Sequence, residues 1–239
     1  MLLINPEHYK AVRGKKTDLK DVTRIAELLQ DGRLEGSYVP PVDIRVLRHL
    51  TRNRIKLVQY QSSIANRIQK LLEQCNIKLA SVASDVLGVS AMAMLRALAQ
   101  GETDAARMAG MAKKQVRKKI PALQLALEGC LLPHHRLLLS EMLEDLDHVG
   151  GKITRIEETI EQQMRPFQNA VNRWLTVPGI KHRLAWRLVA EVGPTVEAFP
   201  SAADIVSWAG ICPGNNQTAG KRKSGTTRSG NPWAAQSVV

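Results

Sequence analysis

The stretch IRVLRHLTRNRIKLVQYQSSIANRIQKLL, residues 44–72, decides the fold. Leu47, Leu50, Leu57, Ile64, Ile68 and Leu71 fall on one heptad seam, interrupted by the polar Arg54 and Gln61. Pro40-Pro41 marks a linker before it, and the periodicity predicts one long helix from about Val42 to Leu79. The stretch carries seven cations, Arg45, Arg48, Arg52, Arg54, Lys56, Arg67 and Lys70, and no acid. A solvated helix surface usually mixes signs, so a one-sign surface favours a polyanionic partner. A plain solvated face is the other reading.

A second long helix follows Pro133. Leu139, Met142, Leu146, Val149, Ile153, Ile156 and Ile160 alternate steps of three and four, which is again a coiled-coil seam. Gly150-Gly151 lies in its middle and should weaken it. Outside the seam this helix is rich in Asp and Glu. The simplest arrangement is an antiparallel hairpin with a basic arm and an acidic arm. A homodimeric coiled coil competes, and periodicity does not choose. Between the two arms, residues 84–120 read as short helices broken at Gly88, Gly101 and Gly110. Lys113, Lys114, Arg117, Lys118 and Lys119 form a second basic cluster there.

The whole chain agrees with this reading. It has 239 residues, 34 Lys and Arg against 22 Asp and Glu, and a formal charge of +12. Apolar residues make up 44% but aromatics only 4%, so a core exists and is aliphatic, as in helical proteins. The basic excess points to nucleic acid. Cys75, Cys130 and Cys212 are odd in number and far apart, without zinc spacing or a disulfide framework, and fit a reducing cytoplasm. No apolar run approaches a membrane span, and the start MLLINP has no basic n-region. Leu2, Leu3 and Ile4 read as the end of a buried strand, followed by a helix over residues 18–30 with Thr17 as N-cap and Asp31-Gly32 as its stop.

From about Asn169 short helices alternate with Pro/Gly turns. Val177-Pro178-Gly179-Ile180 between two apolar helices has the pattern of a helix-hairpin-helix, whose turn and helix N-terminus can face a phosphate. An ordinary helix–turn–helix corner is the alternative. Beyond Asp204 there is no acid. The stretch 213–231, PGNNQTAGKRKSGTTRSGN, joins glycines and hydroxyls to Lys221, Arg222, Lys223 and Arg228. Glycines allow close backbone approach, cations neutralise phosphates, and a hydroxyl can attack a phosphodiester. A flexible basic loop is the plainer reading. Asp18 and Asp21 stand at i and i+3, so both carboxylates share a helix face and could help to hold Mg²⁺. They could equally just complement the helix dipole. His134-His135 shows no metal spacing and reads as structural.

Three segments together carry a resemblance. Asn5-Pro6, then Gly14 to Asp21 (GKKTDLKD), then Ser37 to Pro41 (SYVPP) with Leu47-Arg48 and Arg52-Asn53-Arg54, is similar to the middle of the IS-one-ten family of insertion-sequence transposases. Val177 to Ile180, Phe199-Pro200, Trp208 to Gly210, Pro213-Gly214 and Ala219 to Arg222 resemble its second conserved block. The resemblance runs in order over nearly the whole chain. It implies a mainly α protein in three parts: residues 1–36 as the remnant of a RuvC-like α/β domain, 37–168 as a coiled-coil arm, and 169–239 as an incomplete C-terminal transposase domain with a helix-hairpin-helix-like element. It implies cutting and rejoining of DNA, guided by a structured noncoding RNA, by a cytoplasmic homo-oligomer joined through the arm. Asp18 and Asp21 would be the last two carboxylates of an Asp-Glu-Asp-Asp site for Mg²⁺. Arg45, Arg48, Arg52, Arg54 and Lys56, together with Gly179, Lys221, Arg222, Lys223 and Arg228, would contact nucleic acid.

Two departures follow from the same comparison of motifs. The first Asp and the Glu of the metal site have no match, so the chain is expected to begin inside the RuvC-like domain, to end before the family's further helices, and to be inactive alone in strand exchange. The family's nucleophilic serine, before Ala-Gly-Lys-Arg, is Thr218, a hydroxyl crowded by β-branching. A non-catalytic nucleic-acid-binding module is the alternative function, and a coiled-coil adaptor for an acidic protein is a third.

Overall fold

A computed structural model describes residues 18–33, 39–83, 85–212, 216–218, 221–224, 227 and 230–238. The expected strand at Leu2–Ile4 and the Thr17 cap lie outside these residues. The described chain is mainly helical. It divides into two compact units, one of Met1–Arg48 with Pro166–Val239, the other of His49–Arg165.

The second unit is built on the two long helices. Helix α2 spans Val42–Gln74, and its residues from His49 onward belong to this unit. Its expected end at Leu79 falls short, because Asn76 turns left-handed at φ 59° and the Ile77 N–H reaches back to the Leu72 carbonyl. Leu79–Val82 is a separate short helix, α3. Next come α4 (Val89–Ala99), α5 (Ala105–Gly110), a 3₁₀ turn (Lys114–Lys119) and α6 (Ile120–Ala126). Gly88 stands at the start of α4, Gly101 turns the chain after it at φ 93°, and Gly110 ends α5. Helix α7 then runs over Pro133–Met164. Proline at its first position lacks an N–H that would have gone unpaired anyway.

The two long helices pair as an antiparallel hairpin. Arg54 Nε donates to Glu157 Oε1 at 2.6 Å, and Cys75 Sγ lies 3.3 Å from His135 Nδ1. The later residue of α2 thus meets the earlier residue of α7. Ile64, Ile68, Leu71 and Leu72 share one buried cluster with Leu139, Met142, Leu143, Leu146 and Val149. Met94, Leu95 and Leu98 of α4, Met108 of α5 and Leu123 of α6 complete it. The interruption at Arg54 is therefore an ion pair across the hairpin. Gly150-Gly151 does not break α7, which is continuous through both. Burial of Val149 and Leu146 on the apolar face carries the helix past them. The end of α2 is sewn to the α6–α7 linker: the Cys130 N–H bonds to the Cys75 carbonyl at 3.1 Å and the Lys78 N–H to the Ala126 carbonyl at 2.7 Å. His135 is structural, its Nδ1 accepting the Leu132 N–H at the start of α7.

The first unit holds α1 (Asp18–Gln30), the first turns of α2, and the C-terminal helices. Helix α1 ends where Gly32 turns at φ 67° and the Arg33 N–H bonds to the Leu28 carbonyl. Val22 and Leu29 on it are exposed. Helices α8 (Gln168–Leu175), α9 (His182–Val192), α10 (Ala202–Ala209) and α11 (Pro232–Val238) follow. The buried face of α9, Ala185, Leu188, Val189 and Val192, packs with α8 and α11. The last acid, Asp204, closes the start of α10 by accepting from the Ser201 N–H and Oγ. Between α10 and α11 a two-stranded antiparallel ribbon pairs β1 (Asn216–Thr218) with β2 (Lys221–Ser224).

A Cβ at Gly150 meets nothing within 4 Å. Gly150→Ala should therefore stabilise the chain by about 0.5–1 kcal/mol, the cost of a helical glycine, in urea unfolding. Burial, and then the neighbouring Cys130, push the Cys75 thiol up from its ordinary value, whereas Cys130 is exposed. A raised pKa keeps Cys75 a neutral thiol until higher pH, and the thiolate is the nucleophile. Alkylation at mildly alkaline pH, followed by peptide mass spectrometry, should label Cys130 well before Cys75.

Candidate functional site

Within the C-terminal basic stretch, which the sequence reading expected to be a loop, Asn216–Thr218 and Lys221–Ser224 form the ribbon. Its register sets Thr218 opposite Lys221 and Gln217 opposite Arg222, with a bulge between Asn216 and Gln217. The residue carrying a candidate nucleophile thus sits across the ribbon from one carrying a cation, and Arg222 and Lys223 follow on the same strand. Arg228 lies outside the described residues.

The ribbon springs from a tightly closed base. A Cβ on Gly230 would lie 2.3 Å from the Gly210 nitrogen, so the two backbones touch where the excursion begins and ends. Gly210 itself is left-handed at φ 74°. The Asn231 N–H bonds to the Trp208 carbonyl at 2.9 Å. Asn231 Oδ1 accepts the N–H groups of Trp233 and Ala234 at 3.0 and 3.3 Å, capping α11, while its Nδ2 donates to Glu191 Oε2 at 2.8 Å. Glu191 is 1% exposed. Arg48 reaches it from the base of α2: Nε donates to the Ala190 carbonyl at 2.8 Å and Nη2 to the Glu191 carbonyl at 2.6 Å, and Nε stands 3.9 Å from Glu191 Oε2. Arg187 donates to the Trp233 carbonyl.

The other sequence candidates are dispersed. Arg45 and Lys56 are exposed on α2, and Arg52 is half-buried. Arg48 serves the buried Glu191, and Arg54 serves Glu157, so both spend their guanidinium groups inside the protein. Asp18 and Asp21 lie in the first turns of α1. Among the described residues no group of three His, Cys, Asp or Glu could hold a metal ion. Gly179 sits at φ 89° in the corner between α8 and α9, with the Ile180 N–H bonded to the Val177 carbonyl, and Pro178-Gly179 matches a type II turn.

Sequence reasoning missed Glu191 and Asn231. The available signal was a lone acid in the apolar run Leu188-Val-Ala-Glu-Val192, on the face that buries Ala185 and Leu188. A charge there demands a partner.

Residues 171–238, from α8 through the ribbon to α11, match the family model described as Transposase IS116/IS110/IS902 family. Residues 1–77 match a second model, a transposase of the DEDD, IS110 type. The chain belongs to the IS116/IS110/IS902 transposases. The two matches together cover more than half of it. These are the IS-one-ten transposases of the sequence resemblance, and insertion-sequence transposition is the function of the family. DEDD transposases generally depend on a divalent metal. No curated protein and no solved structure matches the chain. No helix among the described residues is long and apolar enough to cross a membrane.

A Cβ at Gly179 would meet open space, so only the positive φ penalises a side chain there. Gly179→Ala should lose about 1–2 kcal/mol of stability, the cost of a left-handed backbone for an L-residue, by denaturant unfolding of the whole chain.

Proposed function

We propose that this transposase chain grips the DNA backbone with its C-terminal ribbon and that Thr218 is its strand-transfer nucleophile. The register that pairs Thr218 with Lys221 carries the proposal. The threonine oxygen would bond to phosphorus as the bond to the leaving sugar oxygen breaks. The hydroxyl proton would pass to that departing oxygen, leaving a DNA chain esterified to the protein. Lys221, Arg222, Lys223 and Arg228 would neutralise the phosphates on either side, and the Gly179 corner would add a helix-hairpin-helix contact.

In this reading residues 1–36 contribute a RuvC-like portion, 37–168 a coiled-coil arm and homo-oligomer contact, and 169–239 the transposase domain. Asp18 and Asp21 would hold Mg²⁺ only together with carboxylates that the sequence does not match by motif. The exposed cations Lys113, Lys114, Arg117, Lys118 and Lys119 would offer a basic surface to a structured noncoding guide RNA. The setting is the cytoplasm. In the alternative the same cations bind nucleic acid without chemistry.

Four phosphate contacts from Lys221, Arg222, Lys223 and Arg228 predict a logarithmic salt slope near −3.6, about 100-fold weaker binding between 50 and 200 mM salt. Replacing Lys221, Arg222 and Lys223 together with Ala should flatten that slope by roughly 3. A denaturant-resistant protein–DNA adduct, formed with DNA and guide RNA and lost in Thr218→Ala, is the expected mark of the enzyme. Salt-dependent binding with no adduct, in either the wild-type chain or Thr218→Ser, would leave the non-catalytic module as the function.

A further inference from the structure

Glu191 takes no part in the proposed chemistry, yet it is the one acid whose side chain is 0% exposed among the ion pairs described. A buried carboxylate gains little stability over a well-packed apolar residue, because desolvation offsets the attraction. What it does gain is direction, since its oxygens demand donors at fixed places. Here the donors come from two separate parts of the chain. Asn231 Nδ2 approaches from the returning end of the ribbon excursion at 2.8 Å, and Arg48 from the base of α2.

Asn231 is fully committed. Its oxygen caps α11 and its nitrogen meets Glu191, so the side chain fits in only one orientation. One residue earlier, Gly230 lies against the Gly210 backbone, and the Asn231 N–H holds the Trp208 carbonyl. Both ends of the excursion are therefore fixed to the helices that flank it. The carboxylate sets where the returning strand comes to rest.

We propose that Glu191 is the positioning residue of the strand-transfer ribbon, acting through Asn231. The inference rests on the reading of the ribbon as the DNA-binding element. Glu191 touches no substrate. It fixes the point at which the chain re-enters the helices after the ribbon, so part of the ordering that DNA binding would otherwise require is already made.

The geometry supplies a test by exchange of polarity. Asn231→Asp keeps an oxygen for the α11 cap but turns a second carboxylate oxygen toward Glu191. Adding Glu191→Gln restores a donor and an acceptor with their direction reversed, and leaves one negative charge in the pair. The full-length chain carries each change, and three quantities are read: urea stability, amide exchange at Asn231, and affinity for a labelled DNA duplex under conditions where every variant is folded. Asn231→Asp should speed exchange and weaken DNA binding about tenfold, a loss of one well-placed contact. The double variant should return both to near the wild-type values. If Asn231→Asp does not fold, the double variant alone decides, since wild-type-like binding by it supports the latch.

Asn231→Asp with wild-type affinity in its folded form would overturn the inference and reduce Glu191 to a packing role. A double variant that recovers neither exchange nor affinity would do the same. Absence of DNA binding by the wild-type chain would instead count against the proposed function, and the exchange measurements would still decide whether the stem is held by this pair.

Discussion

A carboxylate removed from water has to be answered by donors, or it costs several kcal/mol. The first unit is arranged around that requirement. Glu191 faces inward from α9 between Leu188, Val189 and Val192, where an apolar residue would have been simpler. Its answer comes from Arg48, in the first turns of α2, and from Asn231, forty positions further along the chain. Remote segments thus acquire fixed positions through one group. The touching of Gly210 and Gly230, the cap of α11 and the seat of Arg48 all lie within reach of it.

The two long helices were legible in the sequence because their information is periodic. Seam residues three and four apart report burial whatever the partner is, and Ile64, Ile68, Leu139 and Leu146 are all buried. The choice between a hairpin and a homodimer was not legible, since both bury the same seam. Within the single chain, Arg54 pairs with Glu157 across the hairpin. The helix expected through Gly150-Gly151 is continuous, and packing on one face offsets the weakening those glycines bring. The Asn76 stop of α2 looked like an ordinary helical residue, as asparagine gives no such warning as glycine does.

The candidate site was legible in kind and less so in arrangement. The cations and hydroxyls of the C-terminal stretch stand out by composition, and the register that pairs Thr218 with Lys221 does not. Arg48 and Arg54 belong to a one-sign surface by sequence, yet both are answered by carboxylates far away in the chain. A linear pattern cannot reveal which charges are already neutralised at long range. Glu191 shows the converse, since one acid in an apolar run signals a buried group that needs a partner.

The contact between Gly210 and Gly230 has a consequence for how such a chain can diversify. The nineteen residues between them leave and re-enter the helical body at almost one point. Their length and content are therefore decoupled from the packing of α9, α10 and α11. Closing a longer excursion on the same stem is cheap, about 0.6 kcal/mol for each doubling of its length. The stem thus works as a socket, able to take an insertion between its two glycines without a change to the helices around it.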